Sequence, residues 1–363
     1  MARPTRALVD LGALEHNCKL AAELCGDGAL MPVVKANAYG HGAVQAAKVF
    51  ETYAEALAVA SIEEAITLRN SGIRLPIMLL QGVFAEEELQ LASRQDFWVM
   101  LHNDEQLALL TNSRLPRPVC CWIKLDTGMH RLGFSPLRTR ELCQQLHHCR
   151  QVGGDVTLAT HLACADESES VHTQAQLQCF AEHTEGLDAQ CSIANSAALL
   201  AWPESRRHWN RPGVMLYGQS PFAFDHPLAR QLRPAMTLIS SIQALRDVPA
   251  GDSVGYGGSW TASRRSLIAT VPVGYGDGYP RAAGNGTPVL INGQRATLVG
   301  RVSMDMITVD VTDLDNVSLG APVTLWGEAL TPNEIAQWAG TISYEITTRV
   351  LPRVPREYLA GST

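Results

Sequence analysis

The chain has 363 residues, enough for two domains and for a core that needs no disulfide or metal staple. Hydrophobic residues make up 46% and charged residues 18%, the balance of an ordinary globular protein. A formal net charge of -7 removes any general electrostatic reason to bind nucleic acid or an anionic membrane, so a small-molecule partner is expected.

The first stretch, "MARPTRALVDLGALEHN", lacks the apolar core of a signal peptide, and no later apolar run approaches a membrane span; a cytoplasmic location is expected. After the helix-like "ALEHNCKLAAELC" come eight strand candidates: "LMPVVK", "ALAVA", "PIMLL", "FWVML", "VCCWIKL", "VTLATHL", "CSIAN" and "GVMLYG". Amphipathic stretches such as "AVQAAKVFETYAE", "SIEEAITLRNSG", "NDEQLALLTN", "PLRTRELCQQLHHC" and "TQAQLQCFAEHTEG" follow most of them. Eight such units in about two hundred residues predict a (β/α)8 TIM-type barrel over residues 1–233, with an open doubly wound sheet as the alternative. From residue 234 to 363 helical periodicity nearly vanishes and strands follow one another through close-set turns, predicting a mainly β domain. Asn292-Gly293 between "PVLI" and "QRATLVG" is a hairpin signal there. The nine cysteines sit mostly inside strand or helix patterns and read as reduced core residues; His161 and Cys164 are too few to hold a metal, so no metal site is expected.

In a barrel the chemistry belongs at the C-terminal strand ends, with an anion site after strands seven and eight. Lys35 ends the first candidate strand, Lys124 the fifth, His161 the sixth, and Asn195 and Ser196 the seventh, while Arg211 and Gly213 open the eighth. Lys35 alone reads as a strand-end lysine whose amine reaches solvent. Polar groups at this many strand ends are better explained by one converging site. Asn195, Ser196 and the backbone of "RPGV", Gly213 and Val214 included, offer hydroxyl, amide and N–H groups to a phosphate, without a nucleotide-binding loop motif. A lysine amine across the mouth suits a Schiff base, and the pair points to pyridoxal 5′-phosphate.

The motifs "VVKANAYGHG", "KLDTGMHRLGF", "ATHLACAD", "SIANSAALL", "RPGVMLYG", "VGYGG", "VGYGDGYPR", "VGRVSMDMITVDV" and "YEITTRVLPRVPREY" resemble, in order and spacing, those of bacterial alanine racemases over nearly the whole chain. The resemblance implies a pyridoxal-phosphate-dependent isomerase interconverting L-alanine and D-alanine. It also implies a head-to-tail homodimer whose active sites are completed by the partner's β domain. By it, Lys35 carries the cofactor and is one base, and Tyr256 of the partner subunit is the other. Racemisation removes the Cα proton from one face and returns one to the opposite face, which one fixed base does not readily reach. Taken alone, Tyr256 reads as a strand-edge tyrosine among glycines.

The same resemblance implies that Arg211 meets the pyridine nitrogen and that His161 packs by the ring and links Arg211 to the tyrosine. Tyr39 becomes a phosphate-binding hydroxyl, with Tyr344 a second hydroxyl near the site. Arg131 falls near the cofactor's phenolic oxygen and the substrate carboxylate. The Met304 N–H becomes a carboxylate donor, and Lys124 a lysine that is carbamylated in many relatives. Where many relatives have Cys-Met-Asp, this chain has Ser303, Met304 and Asp305, so altered reactivity toward thiol reagents is expected. Asp166, Arg281, Arg301 and Arg356 are expected to line an access channel. The competing readings are a barrel-type amino-acid decarboxylase using the same cofactor, and a non-catalytic pyridoxal-phosphate-binding protein. Arg211 opposes the first, because decarboxylation profits from a protonated ring; "SVGYGGS" and "SMDM" oppose the second.

Overall fold

The computed structural model describes residues 3–360. Eight short parallel strands, Ala29–Leu30, Leu57–Val59, Ile77–Leu79, Phe97–Leu101, Cys121–Lys124, Thr157–Ala159, Gln190–Ser192 and Trp209–Asn210, form one sheet with the first beside the eighth. A parallel bridge between Val33 and Ala58 joins the first strand to the second and closes the (β/α)8 barrel. The intervening helices include Ala43–Phe50, Ile62–Asn70, Glu86–Gln95, Asp104–Asn112, Thr139–His147 and Val171–Thr184. Their starts follow local chemistry. Asp10 accepts from the backbone N–H groups of Gly12 (2.8 Å) and Ala13 (3.0 Å) to open Leu11–Cys25, and Asn103 does the same for Gln106 in the helix after strand four.

The second sheet has nine strands, Ala244–Val248, Ser266–Val271, Ile307–Asp310, Gln294–Leu298, Pro288–Ile291, Pro322–Trp326, Met236–Ser241, Arg6–Asp10 and Arg356–Leu359 in spatial order. Pairing is antiparallel except between the last two. Asn292 and Gly293 turn the hairpin, with Ile291 opposite Gln294. Each sheet has its own apolar core, one around Leu57, Met78, Trp122 and Tyr217, the other around Val289, Leu325 and Trp326. Among the described residues no helix is long and apolar enough to cross a membrane.

Four expectations are corrected. The eighth strand is Trp209–Asn210, and the run "VMLY" of "GVMLYG" forms a 3-10 turn, Val214–Tyr217, packed against helix Leu11–Cys25. A short, fully buried apolar run has the same composition in either conformation. Arg211 and Gly213 therefore follow the strand instead of opening it. The first strand is Ala29–Leu30, so Lys35 lies beyond its end and beyond the Val33 bridge. Strand Arg6–Asp10, assigned by sequence to the barrel half, lies in the second sheet beside Met236–Ser241 and Arg356–Leu359, so a division at 233/234 does not separate the two sheets. The β half also carries two helices, Pro332–Ala339 and Ser343–Thr348, where little helical content was expected.

Candidate active site

Lys35 is set by an unusual turn. The four residues after it, Ala36, Asn37, Ala38 and Tyr39, all have left-handed backbone conformations, with φ between 50° and 54°. Each such L-residue costs about 1–2 kcal/mol relative to the right-handed form. Neighbouring groups offset this. Glu64 on helix Ile62–Asn70 accepts from Ala36 N (2.6 Å) and Ala60 N (2.8 Å) through its two carboxylate oxygens. Asn37 accepts from Ala43 N at 2.8 Å. The fully buried His41 ring lies 3.0 Å from the carbonyls of both Ala38 and Tyr39, which makes its Nδ1 the donor, and it stacks on Tyr217. Arg356 donates to Gly40 O at 2.6 Å.

The turn holds Lys35 and Tyr39 in the wall of a cavity of about 680 Å³ at the C-terminal mouth of the barrel. Lys124, Arg131, His161, Asn195, Ser196, Arg211, Gly213, Val214 and Tyr344 line the same cavity. Of the residues singled out from the sequence, Asp166, Arg281, Arg301 and Arg356 do not line it, and neither do Tyr256 and Met304. Tyr256 and Met304 lie on the β half, 69% and 54% exposed. Sequence reasoning did not pick out Gln81, Met100, Thr160 and Thr348, which also line the cavity, or Glu64 and His41, which hold the turn after Lys35. Arg356 is turned inward onto the Gly40 and Val350 carbonyls (2.6 and 2.8 Å) and is not a merely solvated surface arginine.

One side of the mouth is a cradle of hydroxyl and amide groups. Asn195 caps helix Ser196–Ala201 by accepting from Ala198 N at 3.0 Å. Ser196 Oγ accepts from Gly213 N (2.8 Å) and Met215 N (3.3 Å), which leaves its hydroxyl proton to donate elsewhere. A Cβ at position 213 would fall 2.4 Å from the Tyr39 hydroxyl, so glycine is what lets the tyrosine reach the cradle. Tyr39 itself is held between Tyr217, with ring centroids 4.8 Å apart, and Tyr344, at 6.0 Å.

Arg211 is buried and held by oxygen acceptors that carry no charge: the Ser192 hydroxyl, Thr160 O at 2.6 Å and Ile193 O at 3.4 Å. Burial brings its pKa down to about 10, which still leaves a cation at neutral pH. Burial, then Arg131, lowers the Lys35 pKa against the opposing pull of Glu64. Burial and then Arg211, Lys124, Arg131 and Lys35 hold the His161 ring well below the usual imidazole range, so it is neutral. Among the described residues, four cations line the cavity and no carboxylate does. Such a site is suited to a multiply anionic occupant.

Lys124 reports this imbalance. Burial, then Arg211 and Arg131, outweigh Asp126 and bring its amine to about 8 from 10.5. Holding it charged destabilises the ligand-free fold by about 3 kcal/mol at pH 7, a burden relieved as pH rises through 8 and gone above about 10.5, where the unfolded chain has also lost the proton. Lys124→Met is therefore expected to raise the melting temperature of ligand-free protein at pH 7 in carbonate-free buffer, with a gain that shrinks between pH 8 and 10.5. Melting curves across that range check it; a gain independent of pH would mean that packing, not charge, is responsible.

Residues 9–221 match the family model described as alanine racemase, N-terminal domain, and residues 235–358 the one described as alanine racemase, C-terminal domain. The chain is similar to an alanine racemase of Chromohalobacter salexigens, 48% identical over 363 residues and the full length of both. It is 46% identical over 357 residues to a catabolic alanine racemase of Pseudomonas putida, covering 98% of this chain and 99% of that one. The solved biosynthetic alanine racemase of Pseudomonas aeruginosa superposes with a TM-score of 0.95 at 43% identity, over 98% of this chain and 99% of that one.

Proposed function

The chain belongs to the alanine racemase family, and from that premise we propose that it interconverts L-alanine and D-alanine with pyridoxal 5′-phosphate held on Lys35, as a homodimer with shared active sites. The observation that carries this is the cavity: among the described residues, four cations and no carboxylate, with a partly desolvated lysine amine facing a hydroxyl and amide cradle. The neutral fraction of a lysine with lowered pKa suits covalent capture of an aldehyde. Tyr39, Asn195, Ser196, Gly213 and Val214 would hold the phosphate, Arg211 the ring and Tyr344 the neighbouring space. When bound, the cofactor supplies an electron sink that acidifies the Cα–H of an attached amino acid.

The rest of the chemistry falls to side chains of the protein. Lys35 Nζ takes or gives the Cα proton on one face, and the Tyr256 hydroxyl of the partner subunit serves the other. Tyr256 is exposed on its own chain and does not line that chain's cavity, as a residue working on a neighbour must be. Arg131 and the Met304 N–H, the latter also from the partner subunit, would orient the substrate carboxylate. Neutral His161 lies in the electrostatic reach of Arg211 and keeps a fifth charge out of the mouth. Arg211, which does not readily give up a proton, limits the reaction to proton transfer at Cα and so disfavours the decarboxylase reading. Lys124, with its pKa near 8, has enough neutral amine to add carbon dioxide and release a proton, and the resulting carbamate would pair with Arg131.

Purified protein supplied with pyridoxal 5′-phosphate is expected to gain a visible absorbance band and to bring L-alanine to an equal mixture of enantiomers. Borohydride reduction followed by peptide mapping should place the label on Lys35. Binding without racemisation would leave a cofactor-binding protein and overturn the enzymatic reading.

A further inference from the structure

The loop 303–305 lies directly on the turn 274–277. Tyr275 N donates to Ser303 O at 3.0 Å and Gly276 N to Met304 O at 2.8 Å. The approach is so close that a Cβ at position 274 would fall 2.3 Å from Ser303 O and 2.4 Å from Met304 O. A trans peptide points its N–H opposite to its C=O. With the Ser303 carbonyl fixed on the turn, the Met304 N–H of the same peptide is aimed away from that turn, on a residue that is 54% exposed. That is the N–H assigned above to a substrate carboxylate.

Beneath this loop sits Asp277, whose side chain is wholly buried. Burial alone would raise its pKa, but Arg3, Arg353 and the Gly274 N–H together hold it below the usual carboxylate range. Arg3 is bidentate to it (2.5 and 2.6 Å), and Gly274 N donates at 2.9 Å. Arg353 donates through Nε to Asp277 at 2.7 Å and through Nη2 to Asp305, also at 2.7 Å. One guanidinium thus ties the buried carboxylate under the turn to the residue after Met304. An ion pair as exposed as that of Arg353 with Asp305 adds little stability by itself, so its consequence is geometric.

We propose that Arg353, bridging Asp277 to Asp305, is a positioning residue for the reaction: it fixes the loop 303–305 so that the Met304 N–H meets the substrate carboxylate in the neighbouring subunit's site. This rests on the shared-site reading above. Arg353→Gln is expected to raise KM for alanine about 10-fold with kcat changed less than about 3-fold, the pattern of a lost binding contact, and Arg353→Lys to recover part of it. Asp305→Asn, which cuts only the exposed arm of the bridge, should raise KM in the same direction with an unchanged melting temperature.

The decisive form uses dimers mixed from a Lys35→Ala chain and a Tyr256→Phe chain, which retain one intact site. Arg353→Gln placed on the Lys35→Ala chain lies under the loop serving that site, and KM should rise. Placed on the Tyr256→Phe chain it serves the dead site, and KM should stay unchanged. Equal KM in the two arrangements, whether raised or not, overturns the proposal. If the parent mixed dimer, verified as formed, is itself inactive, the shared site fails and the proposal falls with it, an outcome visible before Arg353 is touched.

Discussion

Lys35→Ala is expected to lower racemisation by about 10³-fold or more in both directions, the scale seen when a group essential to a covalent mechanism is removed. The variant should also lose the visible absorbance band of the cofactor-loaded protein. Under the proposed mechanism two roles depend on this one amine, capture of the cofactor and proton transfer at one face, so no partial activity is expected. Lys124 is the other lysine in the cavity wall, and its amine, with a pKa of about 8, is free enough to react. Mapping after borohydride reduction separates the two. A band retained in Lys35→Ala, with the label on Lys124, would move the cofactor to the other lysine. In the unaltered protein, cofactor uptake should accelerate with rising pH as the Lys35 amine loses its proton, with a midpoint below that of an ordinary lysine because burial and Arg131 favour the neutral form.

Tyr256→Phe is expected to lower racemisation by about 10² to 10⁴-fold, the usual contribution of a positioned acid or base, while leaving cofactor binding intact. Tyr256 sits in the turn Tyr256–Gly258 with most of its ring in solvent, so loss of one hydroxyl should not affect folding of the chain. The informative readout is exchange of the Cα hydrogen with solvent. With one base left, exchange should survive better from the enantiomer that presents its hydrogen to Lys35 than from the other. Equal loss of exchange from both would remove Tyr256 from the proton path.

What could be read from the sequence was what local pattern encodes. The alternation of short apolar runs with amphipathic stretches gave the barrel, and Asn292-Gly293 marked a hairpin that the strand register bears out. Lys35, Lys124 and His161 stood out because charged or polar residues ended apolar runs, Arg211 because it stood at the start of one, and the fold brings all four to one mouth. The left-handed turn 36–39 was not legible. Two alanines, an asparagine and a tyrosine carry no glycine to announce it, and it exists because Glu64 and His41, fixed by the surrounding barrel, satisfy its backbone groups. Strand Arg6–Asp10 escaped because Arg6 pairs with Ile239, a contact no local window contains.

Other misses carried a signal. Thr331, Pro332 and Glu334 spell a helix start, and the Thr331 side chain does accept from Glu334 N at 3.2 Å. Ser61 and Glu64 have the spacing of a capping box, but Glu64 instead takes Ala60 N and crosses to Ala36 N, so the motif hid a contact to the turn that follows Lys35. Tyr256 and Met304 were reached by resemblance alone, and a single chain leaves them facing solvent.

The most direct test of shared catalysis is to mix the inactive Lys35→Ala and Tyr256→Phe proteins under conditions where subunits exchange, and to assay the mixed dimer for conversion of L-alanine to D-alanine. Each mixed dimer should contain one site with Lys35 from one chain and Tyr256 from the other, so activity should reappear on mixing, up to about half that of the unaltered dimer. Mixed dimers verified by differential tagging that stay inactive would contradict it and place both bases on one chain.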